Sequence, residues 1–512
     1  MTVRIVLLLA FFAVMLIVGF LNRKNSSSVN SFLLGGRSVG PWVTAFAYGT
    51  SYFSAVIFVG YAGQFGWKYG IASTWIGIWN ALLGSLLAWK VLGRRTRIMS
   101  QHFNSSTMPQ FFSARFGSKS LRISAAIITF VFLIPYTASL YNGLSRLFGM
   151  AFNIDYSICV IAMAVLTGIY VVSGGYMATA INDFIQGIIM LFGIVAVVVA
   201  VLRSQGGFMA SLDGLARISD ASASTTPGVF ASFFGPDPLN LLGVVILTSL
   251  GTWGLPQMVQ KFYAIQSEKA ISKGTAVSTT FAFVVAGGCY FLGGFGRLFS
   301  DRIDISADGY DSIIPAMLSD LPGILIAVVV VLVLSASMST LSSLVLTSSS
   351  TLTLDLLKDN IIKGMDEKKQ ILIMRILIVV FVAISVLIAI IQYKQNISFI
   401  AQLMGVSWGA LAGAFLAPFL YGLYWKGTTK ASVWCCFVFS TVVMLLNIFV
   451  RSSFPTILQS PINAGAFCML AGLLIVPVVS LFTKKPDKAL VDSAFASYDK
   501  EVVVHQRSAI SD

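Results

Sequence analysis

Apolar runs of about twenty residues recur from one end of the chain to the other, from Val3–Phe20 to a run near residue 472, separated by short charged or Gly/Pro-bearing stretches. Twenty helical residues at about 1.5 Å each cross the roughly 30 Å hydrocarbon core of a bilayer. Lipid offers no partner to a free backbone N–H or C=O, so a spanning segment must satisfy those groups internally, as a helix does. A closed β-barrel meets the same demand, but its strands read as alternating segments of about ten residues. The chain is 57% hydrophobic and 11% charged, with mean hydropathy +0.86, a balance foreign to soluble domains. An all-α polytopic membrane protein of about thirteen transmembrane helices is therefore expected. The spans centre near residues 12, 53, 82, 133, 165, 193, 248, 285, 338, 381, 411, 440 and 472.

Charge orients the chain. Its net +14 would suit a nucleic-acid binder only if it formed a basic patch on a soluble face. The basic residues sit instead in alternate loops. These are Arg23, Lys24 and Arg37; the seven from Lys90 to Arg122; Lys261, Lys269 and Lys273; the five from Lys358 to Arg375; Lys426 and Lys430; and Lys484, Lys485, Lys488, Lys500 and Arg507 of the tail. The positive-inside rule then puts the N-terminus outside, the C-terminus inside and an odd number of spans between them. The first run has no small-residue cleavage site ahead of Asn22-Arg23-Lys24, so it reads as a retained span. Asp301, Asp304, Asp308 and Asp311 share one external loop, read as solvated, and the tail from Lys484 lacks apolar periodicity and reads as a partly disordered cytoplasmic end. Cys159, Cys289, Cys435, Cys436 and Cys468 lie in apolar runs without metal or redox spacing, as small hydrophobes do. No catalytic centre is expected: the histidines, His102 and His505, fall in a loop and the tail, and carboxylates do not cluster.

Three features carry chemistry. Asp183 lies just inside the span Ile181 to Val201, where an ionisable group usually faces a cavity or ion path; the alternative is a carboxylate favoured by a helix N-terminus. The stretch Ser335 to Ser343 is rich in hydroxyls, and Ser339, Ser342 and Ser343 stand at i, i+3 and i+4 on one helix face. Such a stripe suits a hard cation like sodium, or it bonds its own i−4 carbonyls and packs small. Finally, Ala45 to Ala55 and Ser249 to Gln257 place glycine and polar residues mid-span, and the second adds Pro256. Unwinding there frees carbonyls for an ion and helix ends for a solute. The two interrupted spans lead successive five-helix blocks, 41–204 and 237–425, whose odd helix number makes them inverted repeats. Around them stand a first helix and cytoplasmic loop (1–40), an external loop (205–236), two C-terminal helices (426–483) and the tail (484–512).

Four segments together resemble the sodium/solute symporters, a family that includes bacterial proline, pantothenate, sialic acid and sugar carriers. They are Phe32-Leu-Leu-Gly-Gly-Arg-Ser-Val-Gly-Pro, Ser173-Gly-Gly-Tyr-Met-Ala-Thr-Ala-Ile-Asn-Asp-Phe-Ile-Gln-Gly, Gly254-Leu-Pro-Gln and the run from Ser335 to Ser343. The resemblance implies a LeuT-like core in the cell inner (cytoplasmic) membrane, and sodium-coupled uptake of a small organic solute by alternating access. It implies one sodium held by the carbonyls of Thr50, Phe53 and Ala336 and the hydroxyls of Ser339 and Thr340. A second sodium site maps to Asp183, Ser339, Ser342 and Ser343. The solute cavity is expected among Ser51, Tyr52, Ser54, Tyr136, Trp253, Pro256 and Gln257. An amino acid of the proline type is the leading substrate, with pantothenate, a monocarboxylate or a sugar as alternatives, and a transporter-like sensor as the rival role. The match thins at the solute: proline carriers have an aspartate where Tyr52 stands and aromatics where Thr248 and Thr252 stand, and sialic acid carriers use an arginine in the span that here reads Ile134-Pro-Tyr-Thr.

Overall fold

The computed structural model describes residues 2–22, 28–152, 155–358, 360–394 and 400–499; Arg23, Lys24, Lys500, His505 and Arg507, invoked above, lie outside them. Helix follows helix: α1 (Thr2–Leu21), α2 (Pro41–Tyr52), α3 (Ala62–Tyr69), α4 (Arg94–His102), α5 (Met108–Phe116), α6 (Lys119–Phe152), α7 (Tyr156–Ser204), α8 (Pro238–Gly254) and α9 (Pro256–Ala264). Then come α10 (Glu268–Gly293), α11 (Gly323–Thr351), α12 (Glu367–Lys394), α13 (Ile400–Tyr424), α14 (Lys430–Phe449), α15 (Pro461–Phe482) and α16 (Lys488–Ala496).

Among the described residues, 10 helices are long and apolar enough to cross a membrane, or up to 11 if α8 and α9, bent by 45°, are one span. The thirteen expected are not reached by this count, because two of the ten are overlong. Val56–His102 and Tyr156–Ser204 hold 47 and 49 residues, each roughly 70 Å of helix and more than twice a bilayer core. The first is interrupted at Gly70 (φ 62, ψ −143) and the second at Gly175 (φ 57, ψ −150). Sequence periodicity separates runs that the helical backbone joins.

Without a hydrophobic force between helices in lipid, close packing falls to small residues. A Cβ on Gly66 would lie 1.9 Å from the Gly293 carbonyl oxygen, and one on Gly293 2.0 Å from that of Ala62, so α3 and α10 touch backbone to backbone. The helix at the centre, α11, is buried along nearly its whole length, hydroxyls included, and packs against α6, α7 and α2.

The first and last described helices, α1 and α16, pack at opposite ends of α6. At the start of α6, Arg122 reaches Asp355, and Gly117 faces Leu490 of the tail; near its other end, the Ala151 carbonyl accepts from Arg4 Nη1 at 2.7 Å. Of the tail, residues 484–499 are described, and they are held by contacts distant in sequence. α16 docks through Lys426–Asp492 at 2.9 Å and Ser493–His102 at 3.2 Å, while the Tyr498 hydroxyl donates to the Leu423 carbonyl at 2.8 Å. Several cations assigned above to loops are likewise buried: Arg37, Arg97, Arg115 and Lys261.

Gly66→Ala drives a methyl group into the α10 backbone and is expected to cost about 3 kcal/mol or more, seen as loss of the monodisperse peak or a lowered melting midpoint in detergent. Gly287→Ala, whose Cβ meets nothing within 4 Å, is expected to behave as the parent.

Candidate functional site

The break after α2 begins with hydroxyls that bond back along their own helix. Thr50 Oγ1 donates to the Phe46 carbonyl at 2.8 Å and Ser51 Oγ to that of Ala47 at 2.6 Å. The chain then turns extended at Phe53 (φ −83, ψ 121) before helix resumes. The break between α8 and α9 has nearly the same backbone, Leu255 standing at φ −79, ψ 122.

Opposite the first break lies the middle of α11. Ser339 Oγ is 3.1 Å from both the Thr50 and Ala336 carbonyl oxygens. Thr340 Oγ1 is 3.1 Å from Thr50 O, 3.3 Å from Phe53 O and 3.1 Å from Ala336 O. All five residues expected at the first sodium site thus meet. Each hydroxyl has one proton, so at most two of these five contacts are hydrogen bonds at any moment, and the remaining oxygens face one another with no proton between them. A cation ligated at about 2.3–2.6 Å, the range of Ca²⁺, which is close to sodium in size, sets neighbouring oxygens roughly 3.3–3.7 Å apart. The cluster is close to that spacing and polarity.

The second expected set is assembled differently. The Asp183 carboxylate is fully buried, and Lys261 Nζ stands 3.6 Å from its Oδ2. The same ammonium donates to Ser343 Oγ at 3.0 Å, and Ser343 Oγ in turn meets Ser51 Oγ at 2.8 Å. Ser342 turns to the Ser339 carbonyl at 2.8 Å. A lysine of the second broken helix therefore stands among the oxygens aligned with that site.

Of the expected solute contacts, Tyr52 and Tyr136 come together around Trp408, with ring centroids 5.8 and 5.9 Å from it. The Tyr52 hydroxyl accepts from Asn80 Nδ2, whose Oδ1 accepts from Ser249 Oγ at 3.0 Å. Ser54 Oγ, Tyr136 OH, Trp408 Nε1 and both amide atoms of Gln257 are buried without a hydrogen-bond partner among the described residues. Buried polar groups left so are costly, and a polar solute would satisfy them. Two expected residues point elsewhere: Trp253 Nε1 donates to the Leu83 carbonyl at 2.9 Å, and Ser51 faces Ser343. Pro256 opens α9 without a donor to satisfy. Sequence reasoning missed Asn80, Ser249, Trp408 and Lys261.

The two faces differ. On the face of segment 205–236, a polar cavity of about 1050 Å³ is lined by Gln64, Lys68, Asn240, Arg451 and Asn463 among others. The tail face is crossed by buried charge. There the buried Asp355 takes Thr107 Oγ1 at 2.6 Å and Arg122 Nε at 2.8 Å, and Arg37 donates to the carbonyls of Tyr263 and Ser105 at 3.1 and 2.6 Å.

Broken spans facing a hydroxyl-lined helix in an all-helical membrane bundle define a LeuT-like secondary transporter. The fold matches a solved Na⁺-coupled sialic acid symporter, described as substrate-bound and outward-open with a novel Na⁺-site. The TM-score is 0.71 at 15% identity, covering 95% of this chain and 99% of that one. The model of the Sodium:solute symporter family matches residues 32–439, and the chain belongs to that family. Two relatives from Staphylococcus aureus, one from strain JH9, are each named sodium/proline symporter. Both are 29% identical, with 94% of this chain and 93% of the relative covered. Sodium is the co-transported ion, and the cell membrane is where the chain resides.

Proposed function

We propose that this protein carries a small polar organic solute into the cell together with sodium by alternating access, an amino acid of the proline type being the leading candidate. The observation that carries the reading is the oxygen cluster shared by Thr50, Phe53, Ala336, Ser339 and Thr340, which holds more lone pairs than protons. Neutral hydroxyls and carbonyls attract a monovalent cation without a fixed negative charge to hold it, and release completes a transport cycle. The solute would lie among Tyr52, Ser54, Tyr136, Gln257 and Trp408, where unpaired donors and acceptors adjoin aromatic faces. Proline-type chemistry is favoured by the names of the relatives.

Repeats spanning 41–204 and 237–425 are supported by the matching conformations of Phe53 and Leu255. Thirteen spans follow if the overlong helices divide at Gly70 and Gly175. The polar cavity on the N-terminal face, with Asp355 and Arg37 closing the other, corresponds to an outward-facing state with the N-terminus outside. One sodium crossing about 100 mV releases roughly 2.3 kcal/mol, and each tenfold gradient adds about 1.4 kcal/mol. Together these concentrate a neutral solute several-hundred-fold.

Purified protein in proteoliposomes, given an inward sodium gradient and a labelled panel of proline, other amino acids, pantothenate, monocarboxylates and sugars, is expected to accumulate one class only when sodium is present. Uptake driven by protons and indifferent to sodium would overturn the coupling. Ser339→Ala and Thr340→Ala are each expected to raise the sodium concentration for half-maximal uptake about tenfold, a loss near 1.4 kcal/mol; unchanged activation in both removes the cluster from consideration as an ion site. Asp355→Asn strips Arg122 of its buried counter-charge, a loss of about 3–5 kcal/mol. In that background a cysteine replacing the buried Ser350 is expected to react several-fold faster with a membrane-impermeant maleimide applied from the tail face, and an unchanged rate would exclude this pair as the closure.

A further inference from the structure

We infer that the ammonium of Lys261 is a built-in cation occupying the second cation site of this carrier, so that one sodium ion, not two, accompanies each solute. The inference rests on the sodium-symport reading above. A buried carboxylate beside hydroxyl oxygens is a cation site by its chemistry, because an unpaired charge in hydrocarbon is prohibitively costly. Here the cation is covalently attached to the chain. Lys261 Nζ lies 3.6 Å from Asp183 Oδ2 and 3.0 Å from Ser343 Oγ, and 5.2 Å from the Tyr176 ring centre. Asp183 and Lys261 are 0% and 2% exposed, so no solvent neutralises either one. Neither Asp183 oxygen has a hydrogen-bond partner among the described residues, so the ammonium 3.6 Å away is its charge partner, and a sodium ion in the same space would stand against that fixed positive charge.

Geometry also rules out a casual ion pair. Lys261 projects from α9, the second half of a broken span, to Asp183 on α7 and Ser343 on α11, three elements that a loop lysine would not join. Its hydroxyl partner Ser343 continues to Ser51, the neighbour of Thr50 in the first cluster. The ammonium therefore positions the oxygens at the first site, as a bound second ion would.

The test counts sodium. Binding of radioactive sodium to purified protein is expected to saturate at one ion per chain in the parent, with uptake activated by sodium at a Hill coefficient near 1. Lys261→Ala leaves the Asp183 carboxylate open and is expected to bind two, with a coefficient rising toward 2 and a melting midpoint that climbs with added sodium. Lys261→Arg keeps one ion, and Lys261→Ala combined with Asp183→Asn returns to one. Two ions bound by the parent overturn the inference and leave sodium symport standing, and this measurement holds even if Lys261→Ala fails to fold. One ion in a folded Lys261→Ala also overturns it. No sodium bound by the parent overturns the sodium-symport reading and this inference with it.

Discussion

A helix interrupted inside hydrocarbon must hand its freed backbone groups to something, since each one left alone costs several kcal/mol. Much of this structure answers that demand at the break after Tyr52. The carbonyls of Thr50 and Phe53 are met by Ser339 and Thr340, which requires α11 to bring a hydroxyl-bearing turn into the centre of the bundle. The second break is met in part by its own chain. The Leu255 carbonyl accepts from the amides of Met258 and Val259 at 3.0 and 3.1 Å, and Pro256 has no amide hydrogen to place. The two breaks share a backbone shape, and the first is the one whose carbonyls the α11 hydroxyls meet.

Buried charge follows the same logic. Asp183 with Lys261, and Asp355 with Arg122 and Thr107, each enclose a carboxylate that could not stay ionised alone. Such pairs add little net stability, because desolvation offsets attraction, but they fix register. Ser343 and Asp355 sit a few turns apart on and just beyond α11, so both pairs bear on that helix: one at mid-membrane toward α7 and α9, the other at the tail face toward α6.

Local chemistry was legible in the sequence where it repeated at helical spacing. The hydroxyls of Ser339, Ser342 and Ser343 stand out from an apolar run, Asp183 stands out as a carboxylate inside one, and glycine and proline mark both breaks. What escaped was set by partners far along the chain. Lys261 was placed with Lys269 and Lys273 in an inward loop. The helix continues to Ala264 and stays buried, a reading that Met258, Val259, Phe262 and Tyr263 around the lysine could have prompted. Asn80 and Trp408 are single polar or amphipathic residues in apolar runs, with no periodicity to flag them. Tyr52 was legible as a site residue, but its hydroxyl is already engaged by Asn80, a contact between residues that no spacing rule links. Trp253, an aromatic beside a break, turns away to span three for the same reason.

The arrangement of these contacts constrains how the molecule can move. Thr50, Ser51 and Lys261 lie on the two spans broken near mid-membrane; Asp183, Ser339, Thr340 and Ser343 lie on α7 and α11. Both the oxygen cluster and the ammonium bridge therefore cross the same boundary, and Ser51 with Ser343 ties one to the other at 2.8 Å. A displacement of the broken pair against α7 and α11 lengthens both sets of contacts at once. A sodium ion held between Thr50 and Thr340, as proposed, would oppose that displacement, and so would the ion pair of Lys261 with Asp183, but only the first could leave. The permanent charge would set the resting distance between the two halves, and the mobile one decides when they part.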